Sequence, residues 1–127
     1  MFGSDIIRVK IKGFLKNVTE DKIMNFNENG IRNKQRISFK KDDVKYNIKL
    51  FNNEIIMVRE NNDYINSFLF KRDNSISNYL IKDNSYSLDI EIDIQELNIN
   101  DNFFYVKYVI KDTSCVYEFK IEMGNIL

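Results

Sequence analysis

The sequence predicts an all-β protein, an antiparallel barrel of about eight to ten strands, closed or nearly closed. Three observations predict the barrel. Apolar residues recur with a period of two along most of the chain. Short Asn/Asp clusters interrupt that alternation about every ten residues, the spacing of an antiparallel meander. So many apolar strands also need closure to remove their edges. The 127 residues suit a single domain, residues 1–127, with no linker or repeat to divide it. No window of about a dozen residues fits the helical template as well.

The elements follow in order. Ile7, Val9 and Ile11 alternate with Arg8, Lys10 and Lys12, which sets a first strand at 6–14. Strands at 22–32 and 36–41 come next, bounded on the far side by Asp42-Asp43. Val44, Tyr46, Ile48 and Leu50 alternate with Lys45, Asn47 and Lys49, giving 44–51. Breaks at Asn52-Asn53, Asn61-Asn62-Asp63, Asp73-Asn74 and Asp83-Asn84 place strands at 54–60, 64–71 and 76–82. Tyr86, Leu88, Ile90, Ile92 and Ile94 share one face of an 85–96 strand, with Ser87, Asp89, Glu91 and Asp93 on the other. Past a break at 98–102, Phe104, Val106, Tyr108 and Ile110 define 103–111. Cys115, Tyr117, Phe119, Ile121 and Met123 define 114–123. Asn and Asp tolerate the left-handed conformation of tight turns, so with four glycines in the chain they are expected to take those positions.

Register follows from the turns. A turn centred on Asp112-Thr113 puts Phe104 opposite Ile121, Val106 opposite Phe119, Tyr108 opposite Tyr117 and Ile110 opposite Cys115. Each is an apolar or aromatic cross-strand pair. A turn at Asn52-Asn53 sets Leu50 opposite Ile55 and Ile48 opposite Met57. The same register puts Arg59 opposite Tyr46, on the inward face, and Glu28 shares its parity with Met24 and Phe26. A charge on the core side needs a partner, water or a ligand.

Several segments resemble a known family. Asn25-Phe26-Asn27-Glu28-Asn29-Gly30 resembles the Glu-Phe-x-x-x-Gly strand of the YwiB-like bacterial β-barrels, a domain-of-unknown-function family with a calycin (lipocalin-like) fold. Val44 to Leu50 followed by Glu54-Ile55-Ile56-Met57-Val58-Arg59 resembles that family's hairpin ending in Arg, and Tyr79 and Leu88 follow at near-family spacing. The likeness runs from about Val9 to Met123. Where the family has a Thr-Pro-aromatic-Gly turn, Ile81 to Ser87 has neither Pro nor Gly, and the hairpin after Gly30 is shorter. The resemblance implies a fold and carries no activity.

Composition narrows the chemistry. There is no histidine, which removes the commonest general base and metal ligand, and one cysteine, which excludes an intrachain disulfide and a cysteine-rich zinc site. No Ser/His or Cys/His pair, phosphate-cradling glycine loop or metal-ligand spacing is present. The expectation is a protein that is not an enzyme, with no metal and no cofactor. Nineteen basic residues balance nineteen acidic ones, so no net charge draws the chain to nucleic acid or an anionic membrane. No apolar run approaches the roughly 20 residues of a bilayer span. The N-terminal residues lack a basic-then-apolar leader pattern, and a reducing cytoplasm is the expected location.

Asp89, Glu91 and Asp93 read as a solvated face rather than a cation site. With Ile94 opposite Val106, Asp93 meets Lys107 and Asp89 meets Lys111. Cys115 reads as a buried structural thiol. Arg8, Lys10, Lys12, Lys16, Arg32, Lys34, Arg36, Lys40 and Lys41 offer a nucleic-acid face, a reading set against zero net charge and the lack of an RNP-like motif. The favoured function is non-catalytic binding of a small apolar or amphipathic ligand inside the barrel. Arg59, with Glu28 or Tyr46 near its guanidinium, would hold an anionic head, and Tyr108, Tyr117 and Phe119 an apolar body. The alternative is a barrel filled by its own side chains, serving as a protein-interaction or structural module.

Overall fold

The computed structural model describes residues 6–125, and these form one closed barrel of ten antiparallel strands. The strands are β1 (Ile6–Asn17), β2 (Lys22–Asn33), β3 (Arg36–Lys41), β4 (Val44–Leu50) and β5 (Glu54–Glu60). They continue with β6 (Tyr64–Lys71), β7 (Ile76–Ile81), β8 (Tyr86–Asn100), β9 (Phe103–Ile110) and β10 (Cys115–Asn125). Each strand pairs with its neighbours in the chain, and β1 pairs with β10 to close the ring. All ten expected elements are present.

The two registers argued from the turns hold. Phe104, Val106, Tyr108 and Ile110 face Ile121, Phe119, Tyr117 and Cys115, and Leu50, Ile48 and Tyr46 face Ile55, Met57 and Arg59. The β9–β10 loop is longer than a two-residue turn. Ser114 takes a positive φ of 58° and donates its N–H to the Ile110 carbonyl at 2.8 Å. Asp21, Asp42 and Asn74 hold left-handed turn positions as their chemistry allows, but Lys34, Ser85 and Ser114 hold three more.

The expected β8–β9 register is corrected. Ile94 faces Tyr108 rather than Val106, because β8 runs on to Asn100 and turns at 101–102, and a β-bulge between Ile94 and Glu96 takes up one extra residue on β8. The bulge flips the inward parity from even to odd, so Leu97 and Ile99 carry β8 on to Asn100 through the expected break. Asp93 consequently meets Lys111 at 3.5 Å, which Glu91 shares, while Asp89 accepts a hydrogen bond from Asn78 at 2.7 Å. The acidic face is solvated and mostly lysine-paired, as expected, but with different partners.

Tyr86 and Leu88 were expected inside and are 56% and 49% exposed. The reason is the ladder. β9 reaches only to Ile92 on β8, so the β7–β8 hairpin runs past the end of β9 and its inward positions overhang the barrel mouth.

The lumen divides into two halves. Ile37, Ile48, Ile55, Phe70, Phe104, Phe119 and Ile121 are each no more than 1% exposed and fill the end near the 51–53 and 101–102 turns. Phe119 stacks on Phe26 with ring centres 5.8 Å apart and packs against Phe104 at 5.4 Å. The other end, near the 61–63 and 111–114 turns, is not filled in this way.

Candidate functional site

At that second end lies a cavity of about 290 Å³, lined by Arg59, Asn66, Phe68, Tyr79, Tyr108 and Tyr117 together with Leu15, Ser77, Ile90, Ile92 and Ile110. Strand alternation builds it. One inward row crosses four strands as Tyr46, Arg59, Asn66 and Tyr79, and the next row holds Met57, Phe68 and Ser77. The lining is apolar or uncharged apart from Arg59.

Arg59 is held on two sides. Its Nη2 donates to Asn66 Oδ1 at 2.6 Å, and its guanidinium carbon sits 5.2 Å from the centre of the Phe68 ring. Asn66 is 3% exposed, and its amide nitrogen donates to Ser77 Oγ at 3.2 Å and to the Asn78 carbonyl at 3.0 Å. Ser77 in turn donates to the Ser67 carbonyl at 2.8 Å. The relay fixes the Asn66 amide so that its oxygen points at the cation. Arg59 Nε is buried and has no hydrogen-bond partner among the described residues. No carboxylate lies within ion-pair distance of the guanidinium among the described residues. A buried donor left unpaired costs free energy, which an anion at that point would recover.

Tyr108 is 3% exposed and stacks on Tyr117 with ring centres 5.4 Å apart and planes 14° from parallel. The Tyr117 hydroxyl accepts from Asn17 Nδ2 at 3.3 Å at the barrel rim. Burial pushes the Tyr108 phenol well above its ordinary range, while the Arg59 cation pulls the other way. Tyr46 is also raised, by burial first, and Arg59 again opposes. Burial likewise raises Tyr117, and raises Tyr105, whose hydroxyl donates to Glu118 on the outer face.

These shifts fix an alkaline response. A tyrosine whose folded pKa is raised stays protonated while the unfolded chain, titrating near 10, has already lost its proton. Stability from these four groups is present below pH 10 and falls as pH climbs beyond it. Phenolate absorbance should therefore appear at higher pH in the native than in the urea-unfolded protein, and denaturant midpoints should fall from about pH 10 upward. Coincident native and unfolded titration curves would contradict the burial of these rings.

Four of the six residues singled out from the sequence gather here. Arg59, Tyr108 and Tyr117 line the cavity and Tyr46 flanks Arg59. Phe119 belongs to the packed half beneath. Glu28 has inward parity, opposite Ile11, but its carboxylate lies 3.8 Å from Lys41 Nζ at the β2–β3 seam, so it does not pair with Arg59. Asn66 and Ser77 escaped the sequence reading. Asn66 was accessible, because the alternation Tyr64, Asn66, Phe68, Phe70 sets one amide among inward aromatics. Cys115 has the expected parity but is only half-buried, since it opens β10 at the barrel mouth.

No family model matches the chain, and no curated protein matches it in sequence. Its structure is similar to the crystal structure of the YwiB protein from Bacillus subtilis, with a TM-score of 0.69 and 12% identity over 96% of this chain and 92% of that one. At that identity the likeness carries the fold alone. The chain folds as a closed antiparallel barrel similar to that protein's, the fold its segment resemblances implied.

Proposed function

We propose that this barrel is a non-catalytic binding protein for a small amphipathic anion, held with its charged head at Arg59 and its apolar body against Tyr108, Tyr117 and Phe68. The observation that carries the reading is the inward Arg59 with a buried, partnerless Nε on the wall of an otherwise uncharged cavity. The size of the cavity, at the lower end of the roughly 300–1,000 Å³ usual for ligand pockets, favours a medium-chain acid over a bulky ligand. The overhanging Tyr86 and Leu88 give the mouth an apolar lip. The Arg59–Asn66–Ser77 relay serves to position a cation, and among the described residues no nucleophile and base are paired beside it, which favours binding over catalysis. Charged outward positions such as Lys10, Lys12, Asp89 and Glu91 suit a water-facing surface rather than lipid, consistent with a cytoplasmic protein that carries a free thiol.

Native mass spectrometry of the protein purified from its own host tests this reading. The expected spectrum contains a non-covalent adduct that is an amphipathic carboxylic or related acid. A spectrum of bare protein alone, together with failure to take up added medium-chain acids, would favour the interaction-module alternative.

A further inference from the structure

The zero net charge conceals a division. Residues 6–50, which span β1 to β4, hold twelve basic and five acidic side chains, whereas residues 51–125 hold seven basic and thirteen acidic. One side of the barrel therefore has an excess of seven positive charges and the other an excess of six negative.

The positive side repels itself. On the outer face of β3 and β4, Lys40 faces Lys45 and Arg36 faces Lys49, with Ser38 opposite Asn47 between them. Like charges directly opposite one another destabilise a sheet. Lys40, Lys45 and Arg8 have no carboxylate within ion-pair distance among the described residues. Glu60 is the cross-strand neighbour of Lys45, but its carboxylate is held by Lys82 at 2.7 Å.

The same residues line a hollow. The outside of a barrel is normally convex, yet four adjacent strands here border an open depression of about 550 Å³. Gly30 lets β2 press close to β3, since a Cβ there would lie 2.7 Å from the Ser38 carbonyl oxygen. Arg8, Lys40 and Lys45 supply three cations from three strands, Asn29, Asn47 and Ser38 supply neutral polar groups, and no carboxylate of the described residues lines the groove. Ile31, 50% exposed, offers an apolar patch.

We propose that this outer groove binds a small phosphate ester or polyphosphate, with its phosphates among Arg8, Lys40 and Lys45 and its organic body against Ile31. Three cations exceed what one carboxylate neutralises, and phosphates bring several charges together with acceptor oxygens that suit guanidinium and ammonium donors. The surplus of positive charge over β1–β4 steers such an anion to this side. The two rings beneath the groove, Phe39 and Tyr46, are stacked on each other 4.8 Å apart and only 6% and 2% exposed, so they offer no face on which the bases of a nucleic-acid strand stack. The site is separate from the lumen and does not depend on the reading of Arg59.

Calorimetric titration of the whole protein with ATP and with inorganic pyrophosphate tests the proposal. Both should bind, and more weakly as salt is raised. Lys40→Glu and Lys45→Glu should each lower affinity at least about tenfold. Lys40→Glu replaces a repelling pair with an attracting one, and Lys45→Glu does the same towards β3 while facing Glu60 on β5, so circular dichroism should show the fold intact in Lys40→Glu above all. Lys107→Glu on β9 should leave binding unchanged. No heat from either probe up to millimolar concentration would overturn the proposal. So would an equal loss in Lys107→Glu, or a preference for single-stranded oligonucleotides that grows with their length.

Discussion

Gly13→Ala is expected to cost the barrel about 3 kcal/mol, a large part of the roughly 5–15 kcal/mol that holds such a domain together. Gly13 lies on β1 between Phe26 of β2 and Ile121 of β10, on the ladders that close the ring. A Cβ at this position would lie 1.9 Å from the Lys120 carbonyl oxygen and 2.8 Å from its carbonyl carbon. Both are backbone atoms of a paired strand, so no side chain can swing aside to relieve the clash. The β1–β10 ladder would have to part locally, and that ladder is what removes the barrel's edges. Gly124→Ala is the control, because no atom of the described residues lies within 4 Å of a Cβ there. Urea midpoints should separate the two variants widely, with Gly124→Ala within about 0.5 kcal/mol of the parent. Equal midpoints would mean that β1 and β10 do not approach as described.

Asn66→Leu should cost about 2–3 kcal/mol even though it adds apolar surface to the core. Asn66 accepts from Arg59 and donates to Ser77 and Asn78. Leucine would leave the guanidinium donor, already short of a partner at Nε, and the Asn78 carbonyl without their bonds. Asn78→Ala removes an exposed amide that bonds Ser87 and Asp89 on the outer face, and it should change stability by no more than about 0.5 kcal/mol. A stability gain in Asn66→Leu would show that the amide is not the partner that keeps Arg59 inside.

How much of this was legible in the sequence differs from strand to strand. Alternation and Asn/Asp punctuation located all ten strands, because in an antiparallel meander each strand pairs with its neighbour and each turn sets its own register. Arg59 and Tyr46 emerged as a pair by that arithmetic. The β8–β9 register was not legible, because a bulge shows in sequence only as a change of parity, and Leu97 and Ile99 lie in a stretch rich in Asn. The exposure of Tyr86 and Leu88 was equally hidden, since it depends on where β9 ends rather than on β8 itself. The choice between a filled lumen and a ligand cavity had no sequence signature either. Aromatics serve both ends, and only their three-dimensional stacking shows that Phe119 packs one half while Tyr108 and Tyr117 border the cavity in the other. The charged groove lay behind the zero sum, which says nothing about how charges are arranged.

The binding account rests on Arg59, and a titration of the parent protein and Arg59→Met with decanoate and with decanol tests it most directly. Methionine keeps much of the side-chain volume and removes the cation, so the apolar part of the cavity should persist. A charge-assisted hydrogen bond contributes about 1.5–3 kcal/mol, which corresponds to roughly ten- to a hundredfold in affinity. The account predicts that decanoate binds the parent more tightly than decanol does, and that Arg59→Met loses that advantage while its affinity for decanol is unchanged. Decanoate binding that is equal in the two proteins, or absent from the parent, would contradict it.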